Sequence, residues 1–471
     1  MNILLVLGSL LTTLTVSTAK YEPNWGSIDA RPLPGWYDQA KVGIFVHWGV
    51  FAVPSFGSEW FWKNWIGNQI FQLNFFAFFI IQTCVLDSNQ TKYKNFMEAN
   101  YRPGFAYQDF GRDFTAEFFN PDEWAEIFSA AGAKYVVLTS KHHDGFALWP
   151  SKYAFGWNAK DVGPHRDLIG DLASAVRQYP EMKFGLYHSL YEWFNPLWLE
   201  DKKNDFQTNN FVHGKIIPEM HELIENYAPE VLWSDGEWEA PDWYWNSTAF
   251  LSWLYNESPV RDTVVTNDRW GHETLCTHGG FYTCQDRYNP GVLQPHKWEN
   301  AMTIDKHSWG FRREAKFTDI LTYEELIEQI VSTVSCGGNI LVNVGPSKEG
   351  KIMPIYEERL RQMGKWLKVN GEAIYGSKPW TYQNETLQTG VWYTRREGYV
   401  YASVLHWPQN NLLTLHRPEV GQNNEVFILG YGGSAKVKWH TAGKGLDVML
   451  PDVSQSSAPL PWMLKFTNIT N

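Results

Sequence analysis

Six short stretches of the chain set histidine, carboxylate or arginine beside tryptophan or tyrosine: His47-Trp48-Gly49, Glu59-Trp60, Lys141-His142-His143-Asp144-Gly145, Tyr187-His188, Trp233-Ser234-Asp235-Gly236-Glu237-Trp238 and Asn267-Asp268-Arg269-Trp270. Sugars call for this combination. A pyranose packs its C–H faces on aromatic rings and needs donors and acceptors around its hydroxyl rim. Cleaving its glycosidic bond needs two carboxyl groups, one as nucleophile or base and one as acid. An isolated Trp is more often part of a core, but Trp repeated beside His, Asp or Arg is not explained that way. A metal centre is the rival reading of the histidines. Adjacent His142 and His143 would face opposite sides of a regular strand and chelate poorly together. The sequence also lacks His-x-His, His-Glu-x-x-His and Cys-x-x-Cys spacings. Neither a metal nor a cofactor is expected.

The elements that must position these residues follow from periodicity. Continuously apolar runs at Val42–His47, Tyr135–Ser140, Phe184–His188, Val231–Ser234, Thr263–Asn267 and Ile340–Val344 predict parallel strands buried on both faces. Amphipathic helices lie between them. Asn120-Pro121-Asp122-Glu123 is an N-cap, an N1 proline and an acidic first turn, followed by Trp124, Ile127, Phe128 and Ala131 on one face. Thr322 and Glu325 form a capping box ahead of Leu326, Ile330 and Val334. This β–α alternation over the first 370 or so residues predicts a (β/α) barrel, whose active site lies at the C-terminal ends of its strands. All six polar–aromatic stretches fall at such ends or in the loops beyond them. After Asn370-Gly371, short runs at Val391–Thr394, Val400–His406, Leu412–Leu415, Glu425–Leu429, Ala435–His440 and Trp462–Thr467 predict an antiparallel β-sandwich, with the boundary near Ser377-Lys378-Pro379. The expected domains are residues 20–372 and 378–471.

Length and composition agree. A chain of 471 residues corresponds to roughly three average domains, or to one barrel and a smaller unit. Its 25 Trp, 23 Tyr and 28 Phe must fill a core or line a ligand site, because no clean apolar run reaches membrane-spanning length. A net charge of −11 repels nucleic acid and anionic membranes. Residues 1–19, apolar from Ile3 to Val16 and ending in Ser17-Thr18-Ala19, have the form of a secretory signal peptide. Sequons at Asn89, Asn246, Asn256, Asn384 and Asn468 fit a lumenal route, as does the pairing open to Cys84, Cys276, Cys284 and Cys336, of which Cys276 and Cys284 could close a small loop. Residues 68–90 stand apart. The stretch Ile70–Leu86 is Phe- and Ile-rich, contains no charge, and is inserted just after Glu59-Trp60.

Read in order, HWG, SEW, AKYVVLTSKHHDGF, AKDVGPHRDL, YHSLYEW, WSDGEWE, NDRWG, HKWE, SWGFRR and GGNILVNVGP resemble the α-L-fucosidases of glycoside hydrolase family 29, most of all the animal lysosomal type. The resemblance runs from about Tyr21 to the end, except around Ile70. It implies a (β/α)8-like catalytic barrel, a C-terminal antiparallel β-sandwich and an exo-acting retaining hydrolase of terminal α-L-fucose. Fucosylated glycans would be the substrates, a homo-oligomer, commonly a tetramer, the assembly, and the lysosome or the extracellular space the destination. It makes Asp235 the nucleophile, a role its place at a strand end beside Trp233 favours independently, over Asp144, Glu237 and Glu239. It assigns fucose binding to His47, Glu59, Trp60, His142, His143, Tyr187, Trp233 and Arg269, and Trp309 could join Trp60 against the sugar's methyl group. The acid/base is Asp286 or Glu299. Glu299 matches the family's KWE stretch, and its structural alternative is an ion pair with Lys297, Lys306 or Arg312. Asp286 follows the fifth strand on a cysteine-flanked loop, which favours it slightly. Ala301 stands where the family has Cys. A fucose-binding lectin on the same scaffold, or an inactive product of the 68–90 insertion, are the alternatives to the enzyme.

Overall fold

Seven parallel strands curl around a common axis in the order β5-β4-β3-β2-β1-β7-β6. They are β1 (Val42–Val46), β2 (Tyr135–Lys141), β3 (Lys183–Ser189), β4 (Val231–Asp235), β5 (Val265–Thr266), β6 (Glu299–Thr303) and β7 (Asn339–Val344). The computed structural model describes residues 20–67 and 88–471, apart from 387, 422, 444 and 453–460. The expected signal peptide, Cys84 and nearly all of the 68–90 insertion lie outside the described residues. Among the described residues, no helix is long and apolar enough to cross a membrane.

The gap between β5 and β6 is closed by a single extended turn of chain. Phe281 N–H donates to Thr266 O at 3.1 Å, Tyr282 N–H to Lys297 O at 2.9 Å, and Glu299 N–H to Tyr282 O at 2.9 Å. Two expectations change here. The run Thr263–Asn267 shortens to a two-residue strand, and β6, which includes Glu299, is a strand that the sequence does not announce. Its residues Glu-Asn-Ala-Met-Thr lack the branched apolar run that marks β1, β2 and β7.

Every residue of β1, β2, β4 and β7 is buried. Outside the strands, helices such as Pro121–Ala130, Leu168–Val176 and Tyr323–Ser335 bury one apolar face each. The predicted caps are present: Asn120 accepts from the Asp122 and Glu123 amides, and Thr322 and Glu325 bond reciprocally. Inside the barrel a separate core of Phe45, Tyr135, Val137, Tyr187, Trp233, Phe281 and Leu341 fills the axis. Its large aromatic side chains support the site above them.

The C-terminal strands are β8 (Lys378–Asn384), β9 (Val391–Arg396), β10 (Tyr399–Val404), β11 (Leu412–Leu415), β12 (Val426–Ile428), β13 (Ala435–Ala442), β14 (Gly445–Met449) and β15 (Trp462–Phe466). They follow the order β11-β14-β13-β12-β15-β10-β9-β8. Strand β13 pairs with β12 through Ala435–Val437 and with β14 through Lys438–Ala442, so one strand belongs to both layers. The layers close over Val391, Leu413, Leu415, Val426, Val448 and Phe466.

Candidate active site

Above the aromatic barrel core, one cavity is lined by Phe45, His47, Glu59, Trp60, His142, His143, Tyr187, Trp233, Asp235, Trp238, Arg269, Asp286 and Trp309. Every sugar-contact candidate is there, with Asp235 and Asp286, whereas Glu299 and the rival carboxyls Asp144, Glu237 and Glu239 are not.

Asp235 is the last residue of β4, which puts its carboxylate at the C-terminal mouth. Gly236 follows with φ +83°, and a Cβ there would lie 2.4 Å from the Tyr191 ring, so only glycine makes this exit. The Tyr187 hydroxyl donates to Asp235 Oδ2 at 2.7 Å and Arg269 Nη1 donates to Oδ1 at 2.8 Å. Burial pushes this carboxyl up, but Arg269, His143 and the two hydrogen bonds outweigh it and hold it below its ordinary value. Arg269 is itself fixed. Its Nε donates to Thr283 Oγ1 at 3.0 Å, and the guanidinium lies 4.7 Å from the Trp233 ring centroid.

The other arm of the same guanidinium holds Asp286, Nη2 donating to Oδ1 at 2.7 Å. The Asp286 side chain is 51% exposed, against 11% for Asp235. One carboxylate is therefore seated and the other stands at the rim. The loop that presents Asp286 is closed by the Cys276–Cys284 disulfide. A second anchor, which residue type alone did not single out, is Asp268. Fully buried, it accepts from the amides of Cys276 (2.9 Å), Thr283 (2.9 Å) and Cys284 (3.1 Å) and from the Thr283 hydroxyl (2.6 Å).

Glu299 lies at the opposite end. It opens β6, so it sits at the barrel floor, fully buried beneath Trp233. Tyr37 and Tyr135 hydroxyls donate to its Oε2 at 2.7 and 2.6 Å, and Trp233 Nε1 to its Oε1 at 3.0 Å. Burial raises its pKa, with the three donors acting in opposition. None of the expected ion pairs forms. Lys297 bonds Asp38, Lys306 bonds Glu325, and Arg312 bonds Asp305 and Asp319.

The histidines correct the expectation that His142 and His143 face apart. Both lie past the end of β2, after a register irregularity between Thr139 and Lys141, and their ring centroids are 4.1 Å apart within the same cavity. Burial lowers the pKa of His47 and His143 to about 4 and that of His142 well below its ordinary value, so all three are neutral near pH 6. Their tautomers follow from their partners. The Asn343 amide donates to Thr303 and Trp309, so its oxygen must accept from His47 Nδ1 at 2.8 Å. The Ser189 hydroxyl donates to Tyr191 O, so it accepts from His143 Nδ1 at 2.6 Å. His47 Nε2 is left as an acceptor for a sugar hydroxyl, whereas His143 Nε2 lies 3.5 Å from Asp235 Oδ2. His142 Nδ1 has no partner among the described residues. Glu59 Oε2 takes three bonds, from Ser308 Oγ and the Trp309 and Gly310 amides, and no other side chain among the described residues bonds its Oε1.

Trp238, which the sequence sets in the Asp235 stretch without a role, also lines the cavity. It is 40% exposed at the cavity mouth and lies nearly parallel to Trp60, centroids 6.2 Å apart. Glu237 beside it is buried, with Oε2 unpartnered among the described residues, and burial raises its pKa to about 8. Of the sequons, Asn384 is exposed, whereas the Asn256 amide nitrogen is occupied by Tyr21 O and Ser252 O.

Residues 9–372 match the family model described as alpha-L-fucosidase, and residues 383–467 match the alpha-L-fucosidase C-terminal domain. An alpha-L-fucosidase of Branchiostoma floridae is 56% identical over 444 residues, 94% of each chain. The human tissue alpha-L-fucosidase is 52% identical over 453 residues, 96% of this chain and 92% of its own. The human plasma alpha-L-fucosidase is 54% identical over 459 residues, 96% of this chain and 94% of its own. Among solved structures, the Thermotoga maritima alpha-fucosidase in complex with a mechanism-based inhibitor superposes with a TM-score of 0.76 at 30% identity, covering 95% of this chain and all of that one.

Proposed function

The chain belongs to the alpha-L-fucosidase family, and from that premise we propose that it hydrolyses terminal α-L-fucosides of glycoproteins, glycolipids or oligosaccharides with retention of configuration. Asp235 attacks the anomeric carbon as the bond to the leaving oxygen breaks, and Asp286 gives that oxygen its proton. Asp286 then takes a proton from water, whose oxygen displaces Asp235 from the fucosyl-enzyme.

The single observation that carries this reading is the shared guanidinium of Arg269. It seats Asp235 at the base of the cavity and tethers Asp286 at its rim, so one buried and one exposed carboxyl face the same space, the pair that a retaining glycosidase needs. The bridge also keeps the two carboxyls within the span of one guanidinium, compatible with the separation of about 5–5.5 Å in retaining enzymes. Glu299 lacks any path to a leaving group, which argues for Asp286 over it.

In this reading His47, Glu59, His142, His143 and Arg269 bind the ring hydroxyls, and Trp60, Trp233 and Trp309 pack on the apolar side. Residues 20–372 form the catalytic domain and 378–471 a separate sandwich. The tissue and plasma names of the relatives and the leading apolar segment support delivery through the secretory pathway to lysosome or extracellular fluid. A homo-oligomer is part of the same proposal. The test is Asp235→Gly. Turnover of an aryl α-L-fucoside should fall at least ~10³-fold, and azide should restore it, yielding the β-fucosyl azide. Undiminished turnover would overturn the assignment.

A further inference from the structure

A second cleft, of about 460 Å³, lies behind one wall of the catalytic cavity. Its volume is in the range of small-ligand sites. The wall is made by three segments that serve both sides. Trp60 faces the cavity and Trp62 the cleft, His143 the cavity and Asp144 the cleft. Between them Trp193 packs on Trp60, His142 and His143, with centroids 5.2, 5.9 and 5.5 Å away, while its neighbours Glu192 and Phe194 line the cleft. The partition is thus about one side chain thick.

The lining has the chemistry of a neutral polyol site. Trp157 and Phe194 are only partly buried and offer aromatic surface, and Gly156 leaves open space beside them. The side chains of Gln108 and Arg112 are exposed, with no hydrogen bond or ion pair among the described residues. Asp144 and Glu192 are buried beneath. Asp144 is engaged by the Tyr107 hydroxyl at 2.8 Å, and Glu192 by Lys141 at 2.9 Å. With acidic groups below and one unpaired cation at the lip, the cleft disfavours polyanions, and with amide and guanidinium donors beside ring faces it suits pyranose residues.

We infer that this cleft binds pyranose units of the glycan that carries the fucose, outside the reacting sugar. The inference rests on the proposed fucosidase reading only for the identity of the occupant.

The experiment uses the full chain and two variants, Phe194→Ala and Arg112→Ala/Gln108→Ala, the second confined to exposed side chains. Turnover of 4-nitrophenyl α-L-fucoside, which has no glycan arm, should be unchanged. Turnover of a series of fucosylated tri- to pentasaccharides should lose about tenfold in kcat/KM for the longer members, mainly through KM. Equal loss on the aryl fucoside, or no loss on any oligosaccharide, would overturn the proposal. Saturation-transfer NMR then separates it from the catalytic reading. The corresponding oligosaccharides without fucose should bind the wild-type chain in the presence of saturating free fucose and bind both variants more weakly. Wild-type binding that disappears when fucose is added sinks the second site. An absence of aryl-fucoside turnover in the wild type, with this binding intact, sinks the catalytic reading instead.

Discussion

The two ends of the barrel hold the same kinds of residue and do different things with them. At the mouth, Asp235 and Asp286 share Arg269 beside Trp233 and Tyr187. At the floor, Glu299 takes bonds from Tyr37, Tyr135 and the other edge of Trp233. Each place has carboxylate and aromatic rings. Only the mouth opens to a ligand and has a cation bonded directly to its carboxylates; at the floor the nearest ammonium, Lys297, is bonded to Asp38 instead. At the floor, both Glu299 oxygens are engaged by side chains of the chain itself, which makes Glu299 a packing element of the barrel axis. The difference comes from strand polarity. Asp235 ends a strand and Glu299 begins one, so the same sheet points them to opposite faces of the protein.

The contrast is broken most directly by exchanging the two acid candidates. Asp286→Asn should lower kcat/KM by roughly 10²- to 10⁴-fold on natural glycosides and far less on an aryl fucoside with a good leaving group. Glu299→Gln should leave the leaving-group dependence as it is. At the floor, Glu299→Leu should instead cost stability, about 3 kcal/mol or more, because three buried donors lose their acceptor. A urea midpoint series measures that. If Glu299→Gln rather than Asp286→Asn makes the rate depend on the leaving group, the roles of mouth and floor are reversed.

A smaller effect sharpens the account of the mouth. Asp268→Asn cannot accept at both of its former oxygens and should loosen the loop that carries Asp286. A loss of about tenfold in kcat is expected, with the leaving-group dependence of Asp286→Asn in milder form and the inhibition constant of free fucose little changed. A loss identical for all leaving groups would assign Asp268 a merely structural part.

The smallest effect concerns pH. Glu237 has a folded pKa of about 8, above its unfolded value, because of burial. Between about pH 4.5 and 8 the unfolded state therefore sheds a proton that the folded state keeps, and stability falls as pH rises. The buried histidines act in the other direction. With folded values near 4 for His47 and His143, the unfolded chain binds the extra protons, so their contribution is complete above about pH 6.5 and is lost as pH falls toward 4. Glu237→Gln should raise the Tm at pH 7.5 more than at pH 5. An equal shift at both would remove Glu237 from the balance.

Much of this arrangement was legible in the residues. Apolar runs such as Val42–Val46 and Asn339–Val344 are buried on both sides, and a run of that kind reads as a strand without further help. Tryptophans placed next to His, Asp and Arg at the ends of such runs gave the site. What escaped is where pattern and role part. The strand Glu299–Thr303 is polar along much of its length, because its side chains bond to Tyr37 and Thr333 on two helices and to Trp233 on β4. Without seeing it as a strand, the direction of Glu299 could not be read. The tautomers of His47 and His143, and the grip of Asp268 on the loop, depend on contacts between residues as far apart as 296 positions. Local periodicity carries no trace of these.

One junction has a consequence for the compartment in which such a chain would work. Asp38 receives the ammonium groups of Lys41, Lys297 and Lys378, the last of which opens β8. Burial pulls its carboxyl upward, but the lysines more than reverse this and keep it well below the usual carboxylate range. In an acidic lumen, where surface aspartates and glutamates begin to lose their charge, this clasp between barrel and sandwich stays electrically intact. Acidification would weaken the pocket's histidine lining long before it loosened the seam between the two sheets.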